Sequence, residues 1–189
     1  MKTMLFALTV CLSLSIQAQY SYEPSEEYPF GRPHPNSPSQ LLDYAPLIGE
    51  CDCQSTKRNP DGSWAAEEQM TWRFKYIMNG TAIQDETLKE NGGHSGSIRQ
   101  FIADSSKWYV HYYSNSGPST ILPAWEGKKR GDSIVLYRDQ KAPNGMDGSF
   151  RLSFKNISEA GFDWIGEWVD KTEQIVYPTW KIFCRKKGL

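Results

Sequence analysis

The sequence predicts an all-β protein: a closed antiparallel up-and-down barrel of about ten strands, lipocalin-like, with a short N-terminal helix. From Leu47 onward apolar residues recur at every second position, in one run after another. Turn-forming residues separate these runs at hairpin distance, and aromatic side chains are abundant, with 7 Trp, 10 Tyr and 8 Phe in 189 residues. Alternation places successive side chains on opposite faces of a strand. Many short strands at this spacing make a barrel or a sandwich, and a meander without a long crossover favours the barrel, because closure removes exposed edges.

The first segment lies outside that fold. Lys2 is followed by an apolar or small-residue run, Met4 to Ile16, and then by Gln17-Ala18-Gln19. This is the pattern of a secretory signal peptide over residues 1–18, cleaved near Ala18, and the run is too short to span a bilayer. Leu8-Thr9-Val10-Cys11 resembles a bacterial lipid-attachment box, but Val10 is bulky for that site and the apolar run continues past Cys11. A secreted or periplasmic protein with no integral membrane segment is expected. Cleavage removes Lys2, leaving 20 Lys and Arg against 22 Asp and Glu. A small negative excess argues against a nucleic-acid partner and leaves no polybasic patch for a membrane surface.

Residues 19–38 carry Pro24, Pro29, Pro33, Pro35 and Pro38 among Ser, Glu and Tyr, which reads as an extended arm. Ser39 to Tyr44 can form one or two helical turns ahead of Pro46, lying across one end of the barrel domain at 39–187. Between Gln69 and Met78 the even positions Met70, Trp72, Phe74, Tyr76 and Met78 are apolar; Gln69, Thr71, Arg73 and Lys75 are polar. Asn79-Gly80 follows, the dipeptide preferred in a two-residue hairpin turn, and Ala82 to Leu88 is the return strand. Further strands are expected at Ile48–Ser55, Ile98–Ala103, Trp108–Tyr113, Thr120–Glu126 and Ser133–Arg138. Three more follow around Phe150–Phe154, Phe162–Trp168 and Trp180–Cys184.

Hairpin arithmetic places a candidate site. The Asn79-Gly80 turn sets Phe74 opposite Asp85, so Asp85 projects among Trp72, Phe74 and Tyr76. Pairing Ala103 with Trp108 sets Phe101 opposite Val110 and Arg99 opposite Tyr112. Asp85, Arg99 and Tyr112 then form a polar cluster in a cavity walled by Trp72, Phe74, Tyr76, Phe101 and Trp108, the usual form of a small-ligand site. The competing reading is an internal salt bridge that fixes the barrel and binds nothing.

The signal peptide takes Cys11 with it, leaving Cys51, Cys53 and Cys184. First and last strands are neighbours in a closed barrel, so a Cys53–Cys184 disulfide is reasonable, with Cys51–Cys184 as the variant. No metal or cofactor is expected. Cys-x-Cys lacks companion ligands, and His34, His94 and His111 show no ligand spacing. Gly92-Gly93-His94-Ser95-Gly96 lacks a P-loop lysine and reads as a hairpin at the cavity mouth. No nucleophile elbow is present, and no catalytic residue is assigned.

Gly31-Arg32-Pro33-His34-Pro35, Leu47-Ile48-Gly49-Glu50-Cys51-Asp52-Cys53 and the segment Ile77 to Glu86 together resemble a family of secreted bacterial proteins. That family carries a domain of unknown function with a lipocalin-like, calycin-type barrel. The resemblance runs from about Gly31 to Arg185 and implies a fold and an exported location, without an activity. Cys51 stands where the family usually has Trp, a departure that would enlarge the barrel floor or bring Cys51 into a disulfide.

The leading functional expectation is an exported barrel binding a small apolar or amphipathic ligand. One alternative is an isomerase or hydrolase using Asp85 with Tyr112 or His94. The other is an interaction module whose barrel is filled by its own side chains, with the Pro-rich arm as its binding part.

Overall fold

In the computed structural model, which describes residues 20–188, ten antiparallel strands close into one barrel. They are β1 (Gly49–Lys57), β2 (Glu68–Ile77), β3 (Ala82–Lys89), β4 (His94–Ile102) and β5 (Lys107–Ser114). The remainder are β6 (Ala124–Arg130), β7 (Ser133–Asp139), β8 (Gly148–Ser158), β9 (Gly161–Asp170) and β10 (Val176–Lys186). Each strand pairs with its sequence neighbour, and β1 pairs with β10 to seal the wall. The expected signal peptide lies outside the described residues. No helix among those described is long and apolar enough to cross a membrane.

The β2–β3 register follows the alternation: Trp72 faces Thr87, Phe74 faces Asp85 and Tyr76 faces Ile83. Met70, Trp72, Phe74 and Tyr76 are buried. Met78 is not. It leaves the strand and begins the turn, where Met78, Asn79 and Gly80 all have positive φ (54°, 53° and 77°). The connection therefore spans Met78–Thr81 instead of Asn79-Gly80 alone, but it is centred identically and keeps the register.

Two strand expectations require correction. In β4–β5, Phe101 pairs with Trp108, Arg99 with Val110 and Ser97 with Tyr112. The loop is Ala103–Ser106 and not 104–107. It closes with the Ser106 amide donating to the Ala103 carbonyl (3.0 Å) and Ser106 at φ 51°. Moving a four-residue loop back by one position shifts every pair by two and keeps each side chain on its face. β6 starts at Ala124 instead of Thr120, because Pro118 and Pro123 cannot donate to a ladder and hold 115–123 as a loop. Beyond the expected end at Glu126, β6 continues to Arg130, and the chain reverses at Gly131-Asp132.

The helix is a 3₁₀ helix over Ser39–Leu47 with Pro46 inside it. A prolyl ring is tolerated in this last turn, and the chain leaves the helix at Ile48 with its amide on the Ala45 carbonyl. Leu41, Tyr44 and Leu47 are buried and plug one end of the barrel. Tyr44 meets Trp108 and Phe154 edge-on, with centroids 4.9 and 5.8 Å away. Trp108 Nε1 donates to Asp43 Oδ2 at 3.1 Å, so the plug is tied to the wall by a polar contact as well as by packing.

The segment before the helix is folded onto the barrel and is not an extended arm. Its backbone adds to the closed end: the His34 amide donates to the Gly80 carbonyl (2.9 Å), and the Tyr76 amide to the Phe30 carbonyl (2.9 Å). The Tyr22 amide donates to Asn79 Oδ1 (3.1 Å). Prolines cannot donate, but residues between them supply the donors and acceptors that pin the segment to the β2–β3 turn.

Candidate functional site

Above the plug the barrel is not filled. A chamber of about 100 Å³ lies in its upper half, enclosed by side chains from β2 to β6 and from β8 to β10. Its aromatic walls are Trp72, Tyr112, Trp125, Trp164 and Trp180. Trp164 meets Trp180 edge-on at 5.1 Å and Trp72 at 6.1 Å, forming one continuous surface. Tyr112, Trp125 and Trp180 are half-buried, and the loops between β1 and β2, β3 and β4, β5 and β6, β7 and β8, and β9 and β10 surround that end.

Asp85 and Arg99 form the polar side of the chamber, and both are buried. Arg99 Nη1 donates to Asp85 Oδ1, and Trp72 Nε1 donates to Asp85 Oδ2 at 2.6 Å. The guanidinium lies 5.2 Å from the Tyr44 and Phe74 ring centroids, so one face of the cation rests on aromatic quadrupoles. Burial alone would lower the Arg99 pKa; the Asp85 charge, together with Tyr44, more than offsets it, and the net shift is upward. Arg99 is therefore a permanent cation, and the pair is a fixed dipole with no net charge. Burial pushes the Tyr44 hydroxyl up to about 12, against the pull of Arg99 beside it.

Three buried polar atoms have no well-formed hydrogen bond among the described residues: Arg99 Nε, Trp125 Nε1 and the Tyr44 hydroxyl. The first two belong to residues that line the chamber. Other indoles are provided for: Trp108 donates to Asp43, Trp168 to the Gln140 carbonyl (2.9 Å) and Trp180 to Ser55 Oγ (2.8 Å). The chamber thus presents a free indole donor, Trp125 Nε1, alongside the hydroxyl-bearing Thr87, Ser95, Ser97 and Tyr112.

Of the eight residues named from the sequence, Trp72, Asp85, Arg99 and Tyr112 line the chamber. Tyr112 contacts Trp125 (6.4 Å between rings) and makes no hydrogen bond with Asp85 or Arg99. Phe74, Tyr76, Phe101 and Trp108 lie lower, packed with the plug as solid core. The sequence reading missed Tyr44, Trp125, Trp164 and Trp180. The inward faces of the three Trp were visible in the alternation, but which residues of distant strands share a level depends on the stagger around the barrel; Tyr44 lies in the helix, outside that pattern.

His94 Nε2 faces Glu86 at 3.5 Å on the outer surface, away from the chamber. Both Asp85 oxygens are engaged, by Arg99 and Trp72, and His94 and Tyr112 both line a separate pocket together with residues of the 115–123 loop. No group of three or more His, Cys, Asp or Glu among the described residues could hold a metal ion. Cys53 and Cys184, directly opposite in the β1–β10 ladder, form a disulfide (2.04 Å); Cys51 is a buried free thiol.

The fold is similar to the crystal structure of Rv2717c from M. tuberculosis, with a TM-score of 0.51 at 12% identity over 81% of this chain and all of that one. A redesigned β-barrel, b11L5F_LGL, aligns over the same shares at 10% identity and a TM-score of 0.32. No family model and no curated protein matches the chain.

Proposed function

We propose that this protein is an exported barrel that holds a small, uncharged, apolar or amphipathic molecule by a hydrogen-bond acceptor on that molecule. One observation carries the reading: Trp125 Nε1 is buried on the wall of an aromatic chamber with no hydrogen-bond partner among the described residues. A buried donor left unmet costs about 1–3 kcal/mol. A carbonyl, ether or hydroxyl oxygen entering the chamber satisfies such a donor, and its apolar remainder meets indole faces. A charged ligand has no counter-charge to find, since Asp85 and Arg99 neutralise each other.

Export is supported by the signal-like run Met4–Ile16 and by a disulfide, which persists in oxidising compartments. The motifs around Gly31, Gly49 and Asn79 support kinship with the secreted bacterial barrel family they resemble.

The test uses 2-butanone as probe, titrated into the purified protein and followed by ligand-observed NMR. Saturable binding is expected, weakened about 3- to 10-fold in Trp125→Phe, which keeps the ring but loses the donor. Absence of saturable binding, or equal affinity in the variant, would overturn the reading.

A further inference from the structure

The barrel mouth holds a second apolar space, a cleft of about 390 Å³ between the 140–147 loop and the 171–175 loop. Its walls are Phe150, Trp168, Ile175 and Tyr177, with Met146 at the edge, and no charged side chain lines it. Trp168 is fixed there by its hydrogen bond to the Gln140 carbonyl. Ile175, Tyr177 and Met146 are left 50%, 45% and 42% exposed, an unusual outlay of apolar surface on adjoining loops.

Only a thin aromatic partition separates this cleft from the chamber. In the ladders Phe150 pairs with Trp168 and Trp168 with Tyr177, one level above Leu152, Gly166 and Trp180. Gly166 contributes no side chain to its level, and two rings fill the gap. A Cβ built there would lie 2.9 Å from the tip of Trp164 and 3.0 Å from the ring of Phe150. Trp164 belongs to the chamber and Phe150 to the cleft.

The β-bulge at Thr179 has the complementary effect. It inserts one residue between Pro178 and Trp180, so Tyr177 and Trp180 both fall on the inner side although three positions apart. One strand thereby supplies a wall to each space. Thr179 Oγ1 holds the bulge by donating to the Gly166 carbonyl at 3.1 Å.

We infer that chamber and cleft are two compartments of one binding site, joined by displacement of the Phe150 ring, and that its ligand is an elongated uncharged molecule. An acceptor-bearing head occupies the chamber and a hydrocarbon or aromatic tail lies in the cleft. The chamber alone, at about 100 Å³, is smaller than the roughly 300–1,000 Å³ typical of small-molecule sites, and the cleft brings the site into that range. The absence of charge along the cleft selects against ionised tails. This inference rests on the chamber being a ligand site.

The experiment compares 2-butanone, which fits the chamber, with 2-decanone, which reaches the cleft, on the full purified protein and on Ile175→Asp, Met146→Asp and Trp125→Phe. Burying each added methylene strengthens binding about 3- to 4-fold, so decanone is expected to bind at least 30-fold more tightly than butanone. Ile175→Asp and Met146→Asp are expected to weaken decanone at least 10-fold and leave butanone unchanged; Trp125→Phe weakens both. Butanone binding with no gain for decanone, or with decanone indifferent to the two rim variants, overturns the joined site and leaves the chamber reading standing. Decanone binding that responds to Ile175→Asp but not to Trp125→Phe overturns it by confining the ligand to the rim. If neither ketone binds, the chamber reading falls and the joined site falls with it. Melting curves of both rim variants, expected to match the parent, exclude misfolding as the cause of lost binding.

Discussion

The indole of Trp72 reaches diagonally across the β2–β3 ladder to donate to the carboxylate of Asp85, whose direct partner in the ladder is Phe74. The same carboxylate accepts from Arg99 on β4, so one side chain ties three consecutive strands together inside the barrel. Removing Asp85 alone strands a buried cation. Asp85→Ala is expected to destabilise the protein by about 3–5 kcal/mol, whereas Asp85→Leu combined with Arg99→Met should restore much of that loss. Urea denaturation of the three variants measures it, and equal losses in single and double variants would refute the account.

Alkaline pH provides a second check. Burial raises the Tyr44 hydroxyl from its ordinary 10 to about 12 and the Cys51 thiol from 9 to about 11. Between each pair of values the unfolded chain releases a proton that the native protein keeps, so stability falls as pH rises through the window. Below pH 9 both contributions are fully present. For Tyr44 the loss is about 2–3 kcal/mol. Tyr44→Phe removes this titration and should flatten the decline between pH 10 and 12 in urea titrations.

The Cys53–Cys184 disulfide links positions 131 residues apart. In the loop-closure picture a bond across so long a loop stabilises substantially, and Cys53→Ser with Cys184→Ser is expected to cost about 2–4 kcal/mol. Cys51, 1% exposed, should not react with a thiol reagent in the native protein and should react fully in denaturant. Rapid native labelling would contradict its position.

Gly80 joins the N-terminal segment to the barrel. Its φ is 77°, and an added Cβ would stand 2.4 Å from the Arg32 carbonyl oxygen and 2.6 Å from the His34 amide. Gly80→Ala should therefore lift residues 20–38 off the β2–β3 turn. Limited proteolysis should cut this segment faster in the variant, with the barrel fragment surviving.

The alternation of Met70 to Tyr76 made β2, β3 and the inward aim of Asp85 legible, because a side chain's face depends only on local parity. A turn shifted by one residue defeated the β4–β5 pairing. Ala103-Asp104-Ser105-Ser106-Lys107 contains no glycine to mark where the left-handed residue falls, and Ser106 takes that role unannounced. Parity survived the error, which is why Arg99 and Tyr112 still reach the chamber while facing Val110 and Ser97. Height within the barrel was not legible. Phe74 and Trp72 look equivalent along β2, yet one is solid core and the other chamber wall, a distinction set by the plug and by strands 80 to 100 residues further on. Tyr44 carried no signal at all, since its helix offered neither a cap nor a clear periodicity.

The covalent seam between β1 and β10 turns everything from Cys53 to Cys184 into a ring. A single backbone cut in a mouth loop such as 140–147 therefore releases nothing: the two pieces stay linked through sulfur and hydrogen-bonded to their neighbours. Such a nicked protein would run as one band without reductant and as two with it. A protein built this way tolerates damage at the loops around the open end of its barrel.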